Sequence, residues 1–254
     1  MLFFKRILKE PEPTSSTPAV ERRSKARYVV NPAFALKAVL SFIARDDTGA
    51  PMSDTRQGWN WKGRLIDCSE EGVRIQMGPG LKIGLGDPCD LKLSVDDFAL
   101  TVPCHVINVT EQPEGTLFGL QLDPVEASVE SAYRQLLEVI ALGSALKLQP
   151  KAAQPDASGY LVEAYASDRS SRLTVWRHPA DKSVAAFEFQ LKDNLVRGAA
   201  GHTVEFLADL DGTGSRPANT EKCLEIGRLF QWVVPNLASV VPDDVREFLK
   251  HYAG

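Results

Sequence analysis

The chain has 254 residues, enough for one large or two ordinary domains at about 100 to 200 residues each. Its 44% hydrophobic and 24% charged residues exclude a disordered chain and a membrane-embedded one. A net charge of −4 excludes a generally basic nucleic-acid coat, so any attraction for anions has to be local.

The opening MLFFKRILKE offers only a short apolar patch of Leu2, Phe3, Phe4, Ile7 and Leu8. That is far below the roughly 20 apolar residues of a membrane span, and no signal-peptide cleavage site follows. It reads as a docking segment or a disordered tail, with a weak surface anchor as the alternative, and without stable membrane insertion. PEPTSSTPAV, at 11 to 20, is rich in proline and hydroxyl residues and reads as a flexible linker, so residues 1–20 form an N-terminal segment. ERRSKARY, at 21 to 28, then concentrates Arg22, Arg23, Lys25 and Arg27 just before the first structured stretch, PAFALKAVLSF. Such a placement suits an arm that closes on something.

From 61 to 123 the chain returns repeatedly to strand-like runs: WKGRLID, GVRIQM, DPCDLKLSV, FALTVPCHVINV and TLFGLQL. Turn-rich breaks separate them at the spacing of an all-β barrel or sandwich. In PVEASVESAYRQLLEVIALG the period changes, with Val129, Tyr133, Leu136, Leu137 and Ile140 on one helical face and Gly143 suited to cap the end. The first domain, residues 21–146, is therefore expected to be a barrel followed by a helix.

Residues 147–158 read as an interdomain linker. In 159–254 four runs look like strands: GYLVEAYAS, SRLTVWRH, SVAAFEFQL and TVEFLAD. Two helices follow, one with Cys223, Ile226, Phe230 and Val233 on a face, the other from Pro242 with Val245, Phe248, Leu249 and Tyr252 inward. The second domain is a smaller α+β unit. The four cysteines (Cys68, Cys89, Cys104, Cys223) form no CxxC pair, and buried free thiols in a reducing, cytoplasmic setting are expected.

Two elements carry chemistry. Arg23 and Arg27 supply two planar guanidinium forks, suited to phosphate oxygens or to the O6 and N7 edge of guanine. In DCSEEG, at 67 to 72, strand alternation puts Asp67 and Ser69 on one face and Cys68 on the other. Gly72 there permits a tight return or a close backbone approach. A carboxylate accepts from the N1–H and N2 donors of guanine, so the two elements are complementary halves of one guanine-nucleotide site.

RSKAR followed by DCSEEG, with GDPCDLKL, LFGLQLD and a closing helix downstream, resembles the PilZ domain, the bacterial receptor module for cyclic di-GMP. The resemblance covers roughly residues 21 to 143. It implies a mainly β fold, a six-stranded antiparallel barrel with a C-terminal helix, whose N-terminal arm folds over the ligand. By that similarity Arg23 and Arg27 clamp phosphate and guanine, Asp67, Ser69 and Gly72 complete the guanine pocket, and Arg22 is an auxiliary contact. Arg74, five residues after Ser69 on the next strand, is an accessory contact on grounds of position. The polar stretch RDDTGAPMSDTRQGWNW departs from the pattern and reads as an insertion near the site; its Trp59, with Trp61, suits stacking on guanine or packing at the barrel rim.

Other readings find less in the sequence. FLADLDGTG resembles the first motif of haloacid-dehalogenase-like phosphatases, with Asp209 as nucleophile and Asp211 as acid, but too little chain follows for the rest of that fold. The same loop spaces Asp209, Asp211 and Thr213 like half a calcium loop and has Thr220 where the final glutamate belongs. Cys104 and His105 are adjacent on a strand, face opposite ways and cannot share a zinc ion. His178, His202 and His251 lie in no catalytic context. The reading that results is a cytoplasmic cyclic di-GMP effector: a binding module and not an enzyme, with no metal, cofactor or nucleic-acid partner. Its C-terminal domain presents a surface to a protein partner. The alternative is a PilZ-like interaction scaffold that binds no nucleotide.

Overall fold

The structure, a computed structural model, describes residues 25–42, 60–81, 83–150, 155–208 and 216–253. The expectations for Arg22, Arg23, the N-terminal segment, the insertion with Trp59 and the loop carrying Asp209 and Asp211 lie outside the described residues.

Alternating apolar residues build the first unit. Its strands are β1 (Tyr28–Val29), β2 (Lys37–Phe42), β3 (Asn60–Cys68), β4 (Gly72–Met77), β5 (Pro88–Val95), β6 (Phe98–Gln112) and β7 (Gly115–Leu122). The order is β1-β3-β2-β5-β6-β7-β4, and β4 also pairs with β3. That second pairing closes a six-stranded antiparallel barrel, with β1 added outside β3. One side-chain set of each strand faces inward, so Leu40, Ile75, Leu91 and Phe118 are each 0% exposed. Trp61 packs half-buried against this core.

Helix α1 (Ala127–Ser144) presents Tyr133, Leu136, Leu137 and Ile140 to the barrel, with Val129 partly buried beside them. Its last residues leave the barrel: Leu142 and Leu146 belong to the second core. Gly143 lies inside the final turn instead of capping it. A Cβ there would come within 2.8 Å of the Val233 carbonyl oxygen, so the glycine lets the helix end pack on backbone of the second unit. Its own carbonyl accepts from Ala238 N–H at 3.1 Å.

The second unit is a seven-stranded antiparallel sheet in the order β14-β13-β12-β11-β10-β9-β8. Its strands are β8 (Lys147–Leu148), β9 (Leu161–Ala166), β10 (Ser171–Arg177), β11 (Val184–Leu191), β12 (Asn194–Ala199), β13 (Glu205–Ala208) and β14 (Arg216–Pro217). Helices α2 (Thr220–Val233) and α3 (Asp243–Ala253), joined through a 3-10 turn at Val234–Asn236, cover one face. Phe230 of α2 stacks on Phe187 of β11 with ring centroids 5.7 Å apart. Across the junction between the units, Trp232 donates to Asp96 at 2.8 Å and packs edge-on against Phe98, and buried Asn236 accepts from Asn31 N–H at 3.3 Å.

Candidate arginine-carboxylate site on the barrel

A β-bulge makes the site. Between β3 and β4 the register runs Leu65↔Ile75 and then Asp67↔Arg74, so Ile66 is an extra residue on β3. The bulge keeps Leu65 and Cys68 in the core while setting Asp67 directly opposite Arg74. β1 adds to the other edge of this segment, with Val29 opposite Asp67, which puts Arg27 at the strand's entry. Arg27 Nη1 donates to Asp67 Oδ1 at 2.6 Å, and Arg74 pairs with Oδ2 of the same carboxylate. Asp67 is only 1% exposed although it points away from the barrel core, because the two arginines and β1 cover it. A buried carboxylate needs such partners, since burying it unpaired costs several kcal/mol. The arginines themselves keep 23% and 38% of their side chains in solvent.

The hairpin tip is locked by its own serine. Ser69 Oγ donates to Gly72 O at 3.0 Å and accepts from Gly72 N–H at 3.2 Å, and Ser69 N–H donates to the same carbonyl at 2.9 Å. A Cβ on Gly72 would lie 2.4 Å from the Leu120 carbonyl oxygen of β7, so the glycine is required for the close backbone approach. From α1, Tyr133 donates its hydroxyl to Ser69 O at 2.8 Å and fixes the tip to the helix. Burial pushes the Tyr133 phenol well up, and pushes the Cys68 thiol up to about 12, so both stay neutral. Outside the tip, Lys25 pairs with Glu70 at 2.8 Å, and this ammonium holds the Glu70 carboxyl below its usual range.

The structure thus brings together Arg27, Asp67, Ser69, Gly72 and Arg74. It also supplies three features that the sequence reading missed: the Ile66 bulge, the Tyr133 brace and the Lys25–Glu70 pair. Charge pattern alone singled out Lys25, but a partner 45 residues away leaves no local signal. Elsewhere, Cys104 faces the core with Cys89, their sulfurs 3.4 Å apart, and the contact with Cys89 together with burial raises its pKa. His105 turns outward to Asp123 at 2.7 Å. Among the described residues, no group of three His, Cys, Asp or Glu side chains is arranged to hold a metal ion, and no helix is long and apolar enough to cross a membrane.

A closed six-stranded antiparallel barrel with a DxSxxG hairpin, and Arg27 paired to the aspartate of that hairpin, are what the structure shows, and in the family comparison residues 21–139 match the PilZ domain. This part of the chain is a PilZ domain, and the C-terminal unit is not identified. Solved structures similar to the chain include the PilZ domain of YcgR from Escherichia coli with c-di-GMP. That match has 12% identity and a TM-score of 0.36, covering 46% of this chain and 89% of that one. The PilZ domain of CeSA from a cellulose-synthesizing bacterium matches at 13% identity and a TM-score of 0.32, over 44% and 94% of the two chains. The PlzA protein of Borreliella burgdorferi in complex with c-di-GMP matches at 8% identity and a TM-score of 0.26, over 78% and 90%. No curated protein matches the chain.

Proposed function

We propose that this protein is a cyclic di-GMP receptor. Its arm, carrying Arg22, Arg23 and Arg27, closes over a nucleotide seated against Asp67, Ser69, Gly72 and Arg74. The observation that carries the reading is the shared carboxylate: two half-exposed guanidinium groups converge on one buried Asp67 within a PilZ domain. A carboxylate has about four lone-pair sites, so Asp67 can accept from the N1–H and N2 donors of a guanine once an arginine moves aside. The phosphates of the ligand are the natural new partner for that arginine. Binding is then an exchange: Arg27 leaves Asp67 for phosphate, and guanine takes its place. Ser69 contributes by holding the hairpin tip in shape, and Gly72 by keeping that tip against β7.

The protein acts in the cytoplasm as a binding module without catalysis, residues 21–146 forming the receptor unit. The C-terminal domain, 159–254, presents the surface that a protein partner reads. One observation favours a second reading, a scaffold that binds no nucleotide: Asp67 is already covered and paired without ligand.

Equilibrium binding separates the two. Cyclic di-GMP should bind saturably while GTP and cyclic AMP do not compete at equal concentration. Arg27→Ala should weaken binding about tenfold or more, since a hydrogen bond to a charged group contributes about 1.5 to 3 kcal/mol. Asp67→Ala should lose discrimination for guanine as well as affinity. Absence of binding by the wild-type protein would leave the scaffold reading.

A further inference from the structure

The β9–β10 turn of the second unit reaches the root of the arginine arm. Arg169, at its tip, is exposed, and its guanidinium carbon lies over the Tyr28 ring at 5.2 Å from the centroid. Tyr28 directly follows Arg27 and pairs with Cys68, the residue between Asp67 and Ser69. Among the described residues, the Arg169 side chain has no ion-pair or hydrogen-bond partner. The cation–π contact holds the guanidinium beside the hairpin while its N–H donors have no partner among the described residues, which leaves them open to an oxyanion.

The position of this turn is set by the same helix that braces the site. Ser171 donates its hydroxyl to Leu142 O at 2.6 Å, Ser167 bonds to Ser171 Oγ at 2.7 Å, and Arg169 N–H donates to Ser167 Oγ at 3.0 Å. Ser170, at φ 58°, makes the reversal, and its carbonyl accepts from Lys192 N–H at 2.8 Å. Leu142 belongs to α1, which also holds Ser69 through Tyr133. One rigid element therefore carries both the hairpin tip and Arg169. The local field agrees: Arg134 and Arg169 add to Lys25, the main cause, in holding the Glu70 carboxyl down.

We infer that Arg169 is a ligand contact supplied by the second domain: its guanidinium binds a phosphate of the dianionic nucleotide at the mouth formed by Arg27 and the 67–72 hairpin. The inference rests on the cyclic di-GMP reading above and extends it, because the site is then completed by the domain that delivers the output. Nucleotide bridges the two units, and occupancy is felt by the second domain through a direct contact.

Calorimetric titration of the full chain with cyclic di-GMP at several salt concentrations tests this, using Arg169→Ala and Arg169→Lys. Arg169→Ala should bind about tenfold more weakly, with a shallower dependence on salt and an unchanged melting temperature without ligand. Arg169→Lys keeps the charge and loses the fork, and should fall between the two. Wild-type affinity in Arg169→Ala would overturn the assignment and leave the receptor reading intact. So would a deficit with unaltered salt dependence and a matching fall in the melting temperature of the free protein, which marks Arg169 as a mere support for Tyr28. A wild-type protein that binds no cyclic di-GMP overturns both.

Discussion

The chain contains two arginine–carboxylate clusters of opposite design. On the barrel, one buried carboxylate, Asp67, serves two arginines that remain 23% and 38% exposed. In the second unit one buried arginine, Arg177, with 9% of its side chain exposed, faces Glu163 at 3.1 Å and also pairs with Asp244 of α3. Arg177 Nη1 further donates to Lys182 O at 2.8 Å, and Tyr165 donates to Glu163 at 3.1 Å. Asp244 sits in the first turn of α3, where a carboxylate also suits the helix dipole. The barrel cluster has more guanidinium edges than acceptors, and those edges reach solvent. The second cluster sets two carboxylates and the Lys182 carbonyl around a single buried cation. Identical pair chemistry therefore leaves partly exposed arginines around a buried carboxylate in one place and makes a structural joint between sheet and helix in the other.

That contrast breaks first under substitution of the buried cation. Arg177→Ala removes a buried cation that pairs with both Glu163 and Asp244, so the protein should lose about 3 kcal/mol of stability in urea unfolding. Its affinity for cyclic di-GMP under folding conditions should not change. A loss below about 1 kcal/mol, the range of exposed pairs, would erase the distinction between the clusters.

Gly72→Ala comes next. The new methyl meets the Leu120 carbonyl oxygen at 2.4 Å and forces β4 from β7, for a loss of about 1 to 3 kcal/mol in the same unfolding experiment. Nucleotide binding should weaken with it, because the displaced backbone carries the hairpin tip.

Arg27→Ala should be the mirror image of Arg177→Ala, with stability reduced by no more than about 1.5 kcal/mol, since Asp67 keeps Arg74, while ligand affinity falls steeply. Comparing unfolding midpoints with binding isotherms for the two variants gives the sharpest form of the contrast.

The smallest expected effect is on acid stability. Arg177 holds the Asp244 carboxyl below its ordinary value of 3.8. A depressed carboxylate contributes its stability in full above the unfolded value and loses it as pH falls through the folded one. The gap in stability between wild type and Asp244→Asn should therefore be constant at neutral pH and narrow only below about pH 4. A gap that closes nearer neutrality would mean that Asp244 is not the paired group.

How far the sequence announced all this differs between the units. Strands β3 to β7 were legible because each buries one side, so apolar and polar residues alternate over six residues or more. β12, NLVRGA, carries little strand signal: its glycine, asparagine and arginine interrupt the apolar alternation, and its pairing is set by the hairpin with β11. β1 has only two residues and exists through its pairing with β3. In the site, Arg27, Asp67, Ser69 and Gly72 stood out as a short local pattern. The bulge at Ile66 left no trace in composition, nor did the braces that depend on distance along the chain, from Tyr133 to Ser69 and from Arg169 to Tyr28. The sequence reading gave Gly143 a capping role, whereas Gly143 admits the backbone of the second unit.

Hydrogen exchange of the full chain with and without cyclic di-GMP is the most direct test of the partner exchange at Asp67. Amides around 22–28 and 67–72 should gain protection together on addition of ligand, and those of the β9–β10 turn at 168–170 should follow if Arg169 joins the phosphate. Saturating ligand that leaves exchange at 22–28 and 67–72 unchanged would contradict the account, because the arm and the hairpin would then not be the two halves of one site.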